Sequence, residues 1–267
     1  MIGRLVASSI LLGGIAFTAR AQTVLGVFAH PDDEVYWGTG ALLAKYAQEG
    51  YSVHIATVTL GQIGVTTFAN IPAGAELGAA RAEELRCSAE ALGIQPAIAY
   101  GFFDQALTTT VVMDEFARKL RQTINQVKPD VIITHGPDGL SGHIDHRITN
   151  VITTQVFQER ERLQHHPKRL YYLVYPETRI PLASGATDGR KQYNTATDLY
   201  ITTEIDARAG DAAADKSLEC HKSQMTPAAM ETMKRLRKTT LSSIVYLRLA
   251  MTDGPWPSGK ETTLFEP

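Results

Sequence analysis

Residues 23–34 read Thr-Val-Leu-Gly-Val-Phe-Ala-His-Pro-Asp-Asp-Glu, an apolar run that ends abruptly in a polar cluster. The apolar part, Thr23 to Ala29, is rich in Val, Leu and Phe and carries no charge. This composition is typical of a strand that is buried on both faces of a parallel sheet. Asp32 and Asp33 then fall in the loop after the strand, where they can cap the next helix. The stretch therefore predicts a buried parallel strand with polar side chains at its carboxyl end.

Strand-like and helix-like segments alternate along the rest of the chain. The predicted strands cover 52–59, 97–103, 131–134, 170–175 and 200–205. The predicted helices cover 36–49, 79–92, 113–127 and 207–223. Gly50 and Gly93 end the first two helices in C-cap positions, and Pro129 follows the third. This βαβ alternation predicts an α/β fold in a single Rossmann-like domain over 22–267, with a mainly parallel sheet and helices on both faces.

Length, charge and cysteine content narrow the class of protein. The chain has 267 residues, of which 44% are hydrophobic, enough to bury a full core in one large domain. Its formal net charge of -2 gives no electrostatic reason to expect nucleic acid or an anionic membrane surface as a partner. Cys87 and Cys220 form no Cys-x-x-Cys pair. We therefore predict that both are small buried apolar residues, with a disulfide between them as the alternative.

The first 21 residues differ from the rest of the chain. Arg4 supplies a positive charge, Leu5 to Phe17 is apolar or small, and Ala19-Arg20-Ala21 fits the A-x-A pattern before a cleavage point. We expect 1–21 to be a signal peptide, so that the protein is exported to the periplasm or beyond and has no stable membrane span after processing. The alternatives are a packed N-terminal helix or a short membrane anchor, and a cytoplasmic location if the segment is not cleaved.

A second polar cluster, Gly-His-Ile-Asp-His at 142–146, follows the fourth predicted strand. A sheet that places the first and fourth strands side by side would bring the two clusters together at its carboxyl edge. Catalytic zinc is typically held by two histidines and one carboxylate, which leaves a position open for water. His30, one aspartate of the first cluster and one histidine of the second supply this set. The two clusters together predict a metal-dependent hydrolase.

The remaining groups of the two clusters suggest catalytic roles. Adjacent loop residues point in different directions, so Asp32 and Asp33 can hardly both bind one ion, and the other is left as a general base. His143 and His146 are three residues apart. One of them can bind the metal while the other polarises the substrate carbonyl or stabilises the oxyanion. From the residues alone, the assignment within each pair stays open.

The two clusters resemble those of the zinc-dependent N-acetylglucosaminyl deacetylase family known as PIG-L or LmbE-like. The His-Pro-Asp-Asp-Glu signature after its strand is the specific feature. The supporting matches are Gly61 with Gly64, Arg81 to Leu85, Lys128 to Ile132, and His221 to Gln224. The resemblance spans roughly 23–224. Two positions depart from the family pattern, Ile144, where proline is common, and Gln62, where relatives often carry an acidic or different polar residue.

The resemblance implies a metal site and a general base. The metal ligands fall on His30, Asp33 and His146, and the implied ion is Zn2+. Another divalent metal such as Fe2+ is an alternative, because this set of ligands accepts several ions. The general base falls on Asp32, the first aspartate of the signature.

The resemblance also implies roles around the substrate. His143, paired with Asp145, falls on the histidine that polarises the carbonyl. Arg81 falls on an arginine that contacts sugar hydroxyls, and an ordinary helix-surface ion pair with Glu84 is the alternative. His221 is expected to line the substrate pocket or to cap a helix.

The implied function is hydrolysis of the N-acetyl group of an N-acetylglucosamine-type sugar or glycoconjugate. The implied partner is therefore a small molecule and not a nucleic acid, while the oligomeric state is left open. One alternative is a metal-dependent amidase that acts on a thiol conjugate or an acylated natural product. Another is a carbohydrate-binding module without catalysis. The other histidines, which are His54, His135, His165 and His166, are expected to be structural or exposed.

Overall fold

The structure, a computed structural model, describes residues 21–179 and 197–266. The predicted signal peptide lies outside these ranges except for its last residue, Ala21. Within the ranges, the strands are β1 Thr23–Phe28, β2 Ser52–Thr59, β3 Ile98–Phe102, β4 Val131–Thr134, β5 Arg169–Leu173, β6 Thr203–Asp206 and β7 Ile244–Thr252. The α-helices are α1 Thr39–Gln48, α2 Ala75–Leu92, α3 Thr110–Val127, α4 Ile144–Gln158, α5 Asp211–Leu218 and α6 Pro227–Thr239.

The described strands form one sheet in the order β3-β2-β1-β4-β5-β7-β6. Strands β1 to β5 pair in parallel, and β7 runs antiparallel to both β5 and β6. The strand order reverses between β1 and β4, which lie side by side with Val27 opposite Thr134. The residues that follow these two strands therefore meet at one edge, in the crevice where ligands bind in open α/β sheets.

Both faces of the sheet are covered, as the continuous apolar strands require. Every residue of β1 is buried. Val24 and Phe28 pack with α1 and α2 on one face, whereas Leu25 and Val27 pack with α3 and α4 on the other. The predicted α/β fold with a mainly parallel sheet and helices on both faces is confirmed. Among the described helices, none combines the length and the apolar character that crossing a bilayer requires.

Several helix boundaries in the structure differ from the predicted ones. The helix expected over 36–49 begins as a 3-10 turn at Asp33–Gly38 and becomes α-helical only at Thr39. Asp32 and Gly38 both have positive φ angles, of 105° and 98°, so the chain turns twice before α1 can propagate. The helix expected over 207–223 is shorter, because α5 covers only Asp211–Leu218.

The two cysteines form a disulfide. Cys87 in α2 is bonded to Cys220 in the turn after α5, with a Cα–Cα distance of 5.8 Å. The prediction of two separate buried thiols is therefore wrong, and the alternative holds. The reason is topological, because α2 and α5 pack against each other although the two cysteines are 133 residues apart in sequence.

Candidate metal and catalytic site

The site is a cavity of about 320 Å³ at the carboxyl edge of β1 and β4. Its described lining includes every predicted metal ligand together with Asp32 and His143. The first cluster lies in the loop after β1 and at the start of the 3-10 turn, which begins at Asp33. The second cluster lies at the N-terminus of α4, where His143 is the N-cap. The side-by-side pairing of β1 with β4 thus brings the clusters together across more than a hundred residues of sequence.

Three of the predicted residues present their donor atoms to one point. Nδ1 of His30 lies 3.1 Å from Nε2 of His146 and 3.6 Å from Oδ2 of Asp33. Oδ1 of Asp33 lies 3.2 Å from Nε2 of His146. Atoms bound at 2.0–2.2 Å to a tetrahedral zinc ion are about 3.3–3.6 Å apart. The two imidazoles and the carboxylate therefore fit a zinc-sized cation.

His135 joins this group, although the sequence predicts a structural role for it. Its Nε2 accepts the Ala29 N–H at 3.2 Å and lies 3.3 Å from Oδ2 of Asp33, and its ring stacks on His146 at 4.1 Å. Burial, followed by the neighbouring His146, lowers the pKa of His135 to about 4. His135, Asp33 and His146 are close enough together to form one candidate ligand group, but the Nε2 lone pair of His135 is already used by the Ala29 N–H, which places this ring beside the ligands and not among them.

The second ring nitrogen of His30, Nε2, points away from the three converging atoms and faces two buried carboxylates. It lies 3.3 Å from Oδ1 of Asp104 and 3.4 Å from Oδ2 of Asp145. Burial alone would lower the pKa of His30, but Asp104, Asp145 and Asp33 raise it well above the usual value. Carboxylates in this position fix the ring orientation of a metal-binding histidine. Asp104 was not predicted, because it follows β3 in a loop that carries no recognisable motif.

Asp145 takes a different partner from the one expected. Its carboxylate lies beside His30 and accepts the Gln105 N–H at 2.7 Å, and its backbone N–H, not its carboxylate, contacts Nδ1 of His143 at 3.2 Å. The expectation that the Asp145 carboxylate orients the His143 ring is therefore corrected. The physical reason is helix geometry, since His143 is the N-cap of α4 and its side chain accepts the otherwise free Asp145 N–H of the first turn.

His143 is set up as a neutral donor. Burial, followed by the neighbouring His30 and His146, lowers the pKa of His143. Its Nδ1 accepts the Asp145 N–H, so the proton of the neutral ring lies on Nε2. The ring lines the cavity, where an Nε2–H group can donate to a substrate oxygen.

Asp32 is a buried carboxylate without a place in the ligand triad. Burial raises its pKa to about 6, while the Arg81 guanidinium opposes this rise and the Asp33 carboxylate adds to it. Nη2 of Arg81 lies 3.1 Å from Oδ1 of Asp32. A carboxylate that faces the cavity with a pKa near neutrality has the properties of a general base.

Arg81 is held in a slot between two glycines. Its Nη1 donates to the Gly61 carbonyl at 3.1 Å, and its Nη2 donates to the Pro31 carbonyl. A Cβ atom on either Gly61 or Gly64 would overlap Nη1 of the guanidinium. The alternative considered for Arg81, a surface ion pair with Glu84, is wrong, because Arg81 is buried and pairs with Asp32. Arg81 lines the cavity, so a contact with substrate remains a prediction.

His221 does not reach the cavity. Its side chain is 0% exposed, and its Nε2 lies 2.7 Å from Oε1 of Glu34. A ring that is closed off in this way cannot touch a substrate that enters from solvent, so the predicted substrate contact is corrected. The His221 to Gln224 segment is instead a packing element, in which Ser223 donates to Glu84 and Gln224 donates to the Gly64 carbonyl.

Comparison with known proteins identifies the family. The sequence profile of the PIG-L family, described as GlcNAc-PI de-N-acetylase, matches residues 25–157, which contain both clusters. A 1D-myo-inositol 2-acetamido-2-deoxy-alpha-D-glucopyranoside deacetylase from Actinosynnema mirum is 30% identical over 245 residues, covering 79% of this chain and 83% of the relative. The chain belongs to the PIG-L family. The resemblance predicted from the sequence is thus confirmed, and with it the assignment as a deacetylase, a hydrolase of amide bonds.

Solved structures show how widely this fold is used. The N,N'-diacetylchitobiose deacetylase of Pyrococcus horikoshii has a TM-score of 0.66 at 20% identity, covering 86% of this chain and 84% of the other. The 4-carboxy-2-hydroxymuconate hydratase of Pseudomonas putida has a TM-score of 0.65 at 16% identity, covering 88% and 99%. Identities this low show the fold alone. Because a hydratase has this fold too, the reaction of this PIG-L protein must be argued from its side chains.

Proposed function

We propose that the protein hydrolyses the N-acetyl group of an N-acetylglucosamine-type sugar or glycoconjugate in a metal-dependent reaction. The observation that carries the proposal is that Asp32, a buried carboxylate, lines the same cavity as the converging donor atoms of His30, Asp33 and His146. Membership of a deacetylase family supports the reaction type. The name of the relative from Actinosynnema mirum, a deacetylase of an N-acetylated sugar conjugate, supports the substrate class.

His30, Asp33 and His146 are proposed to hold Zn2+, and His135 supports Asp33 and His146 from the buried side. Zn2+ bound there would polarise the acyl carbonyl and lower the pKa of a water molecule. Fe2+ is the alternative ion, since imidazole and carboxylate ligands suit several divalent metals.

Asp32 transfers the proton, and His143 stabilises the negative charge that develops on the carbonyl oxygen. The Asp32 carboxylate takes a proton from the attacking water as its oxygen bonds to the acyl carbon. The Nε2–H of His143 donates to the carbonyl oxygen while negative charge develops on it. When the C–N bond breaks, the leaving amine takes the proton from Asp32. The products are acetate and the free amino sugar, and Asp32 returns to its starting state.

The test is release of free amine from a graded set of N-acetylated compounds. The set contains N-acetylglucosamine, N,N'-diacetylchitobiose and an N-acetylglucosaminyl inositol, with an N-acetyl amino acid as the amide that lacks a sugar. Each is assayed with chelated protein and with the same protein after zinc is restored. Release from the sugars alone, and only with metal, is expected. Release from the amino acid at an equal rate would contradict the sugar class, and turnover by chelated protein would contradict the metal requirement.

We also propose that the mature protein lies outside the cytoplasm. The signal-like pattern of the first 21 residues supports this location. The Cys87–Cys220 disulfide supports it independently, because disulfides persist in oxidising compartments and are rare in the cytosol. N-terminal sequencing of protein isolated from its source is expected to begin near Gln22. Retention of Met1 together with two free thiols would contradict the proposal.

A further inference from the structure

Glu34, the last residue of the first cluster, is a buried carboxylate with no place in the reaction described above. Its side chain is fully buried and is absent from the described lining of the cavity. Its Oε2 accepts the backbone N–H of Asp32 at 2.9 Å. Its Oε1 accepts the Ser88 hydroxyl at 2.5 Å and lies 2.7 Å from Nε2 of His221. Glu34 therefore contacts the backbone of the proposed base directly.

The backbone of Asp32 needs such support. Asp32 has φ of 105° and ψ of -21°, a backbone conformation that residues other than glycine rarely adopt. A residue held there costs on the order of 1–3 kcal/mol and persists only where its surroundings determine it. The Asp32 N–H bonds to Glu34, and the Asp32 carbonyl accepts the Val35 N–H at 3.0 Å. These two bonds fix the peptide groups on either side of the proposed base.

Glu34 is in turn held by elements that lie far away in sequence. Ser88 belongs to α2, and His221 lies in the turn after α5. The Ser88 and Ser217 hydroxyls are 2.7 Å apart, which joins the two helices behind the carboxylate. Nε2 of His221 donates a charge-assisted hydrogen bond to the Glu34 carboxylate, and a carboxylate without such a donor at this depth would be costly.

We propose that Glu34 and His221 are positioning residues, which hold the Asp32 backbone in its left-handed conformation so that the carboxylate faces the cavity. The inference rests on the proposed role of Asp32 in hydrolysis. His221 acts through Glu34, and Glu34 acts through the Asp32 N–H. Neither side chain contacts the substrate.

The first experiment replaces His221 with two amides that differ in reach. His221→Gln keeps a donor near the position of Nε2, whereas His221→Asn withdraws it. We expect His221→Asn to lower kcat roughly 10- to 100-fold, as loss of supporting partners around a site does, and to leave KM and the metal content unchanged. His221→Gln should stay within about twofold of the unmodified protein. Equal losses in the two variants, or a loss in neither, would overturn the proposal.

The second experiment asks whether the effect passes through Asp32. In an Asp32→Asn background there is no base left to position, so adding His221→Asn should change kcat by less than about twofold. The same fold-loss in both backgrounds would show that His221 acts on the molecule generally, and would overturn the proposal. Rates are expressed per folded, metal-loaded chain so that instability does not imitate the result.

A third measurement does not depend on activity. The Asp32 N–H should be protected from hydrogen exchange in the unmodified protein and should exchange faster in His221→Asn, while the amides of β1 keep their protection. Unchanged exchange at Asp32 would overturn the positioning role whatever the substrate is. If instead the protein released no amine from any compound and exchange still responded to His221→Asn, the proposed function would fail while the positioning geometry would stand.

Discussion

Asp32 and Asp33 are adjacent in sequence but face different partners. Asp33 lies among His30, His135 and His146, and the neighbouring His146 and His135 hold its pKa well below the usual range although burial alone would raise it. Asp32 pairs with Arg81 and has a pKa near 6, raised mainly by burial. The strained turn at Asp32 makes this division, because it points consecutive side chains in different directions.

We therefore predict opposite outcomes for the two alanine substitutions. Asp32→Ala should keep the metal and lose roughly 10²- to 10⁴-fold in turnover, the usual range for removal of a general base. Asp33→Ala should lose the metal itself, because it removes the charged ligand. Metal per chain and kcat are measured on the same samples. Normal turnover by Asp32→Ala, or full metal content in Asp33→Ala, would contradict the assignment.

Gly61 offers a test of Arg81 with a matched control elsewhere in the chain. Gly61 and Gly93 have similar φ angles, of 61° and 70°, so alanine at either position costs about 1–2 kcal/mol of backbone strain. Only at Gly61 would the new Cβ meet the guanidinium, whereas nothing lies within 4 Å at Gly93. Gly61→Ala should lower kcat by up to about 10²-fold by moving Arg81 away from Asp32, while Gly93→Ala should not.

Urea unfolding and kcat are compared for the two glycine variants. Similar losses of stability with a loss of turnover at Gly61 alone are the expected pattern. If Gly93→Ala lost as much turnover as Gly61→Ala, the effect would come from strain in general and not from Arg81.

The predicted and the observed site residues differ for identifiable reasons. His30, Asp33 and His146 could be predicted because they lie in motifs directly after strands. Asp104 could not, because it follows β3, which is separated from β1 by β2, and only the path of the loop brings its carboxylate to His30. The position of His135 at the end of β4 was the one available signal of its place in the cluster.

At the scale of elements, one face of α2 contacts several of the segments that surround the site. Arg81, Glu84 and Ser88 recur at helical spacing on one face of α2, and each meets a different partner: Asp32, Ser223 and Glu34. This face also brings together two segments that support the family resemblance, Arg-Ala-Glu-Glu-Leu and His-Lys-Ser-Gln, through the contact of Glu84 with Ser223. The first supplies a helix face, and the second supplies the turn that docks on it.

Replacement of Glu84 should therefore destabilise the fold. Its carboxylate accepts the Ser223 N–H at 2.6 Å and the Ser223 hydroxyl at 2.7 Å. Glu84→Ala leaves both donors without this acceptor and should lower the free energy of unfolding by about 1–3 kcal/mol. Glu83, whose side chain is 71% exposed, is the matched control, and Glu83→Ala should stay within about 0.5 kcal/mol. Equal values in urea unfolding would contradict the docking role.

Strands were predicted accurately where a continuous apolar run is bounded by turn residues. The bounds predicted for β2 and β4 agree with the structure because their apolar runs are bounded by clear turn signals. The helix α6 and the strand β7 were not predicted. α6 is rich in charged residues and buries only Met230 and Arg237, so its apolar pattern is sparse. β7 does contain an apolar run, Ile244 to Leu247, but it pairs antiparallel after the βαβ alternation has ended, so that alternation did not indicate a strand there.

At the scale of the whole molecule, one topological feature creates the site. The reversal of strand order between β1 and β4 brings together two clusters that neither strand could complete alone. The parallel, doubly covered sheet could be predicted from the βαβ alternation, but the neighbours of each strand could not. The Cys87–Cys220 disulfide belongs to the same class of long-range feature, since it depends on the packing of α2 against α5.

The disulfide should contribute a large share of the stability. It closes a loop between residues 133 apart, and cross-links over such distances typically stabilise a protein by about 2–5 kcal/mol. We expect reductant to lower the free energy of unfolding in urea by that amount. Cys87→Ala/Cys220→Ala should show the lower value with or without reductant, because the chain contains only these two cysteines. Identical unfolding curves for oxidised and reduced protein would contradict this role. The disulfide joins Cys87 and Cys220, which are the sequence neighbours of Ser88 and His221, the two partners of Glu34. An oxidising compartment, in which the disulfide persists, would therefore maintain both the stability of the fold and the surroundings of Glu34.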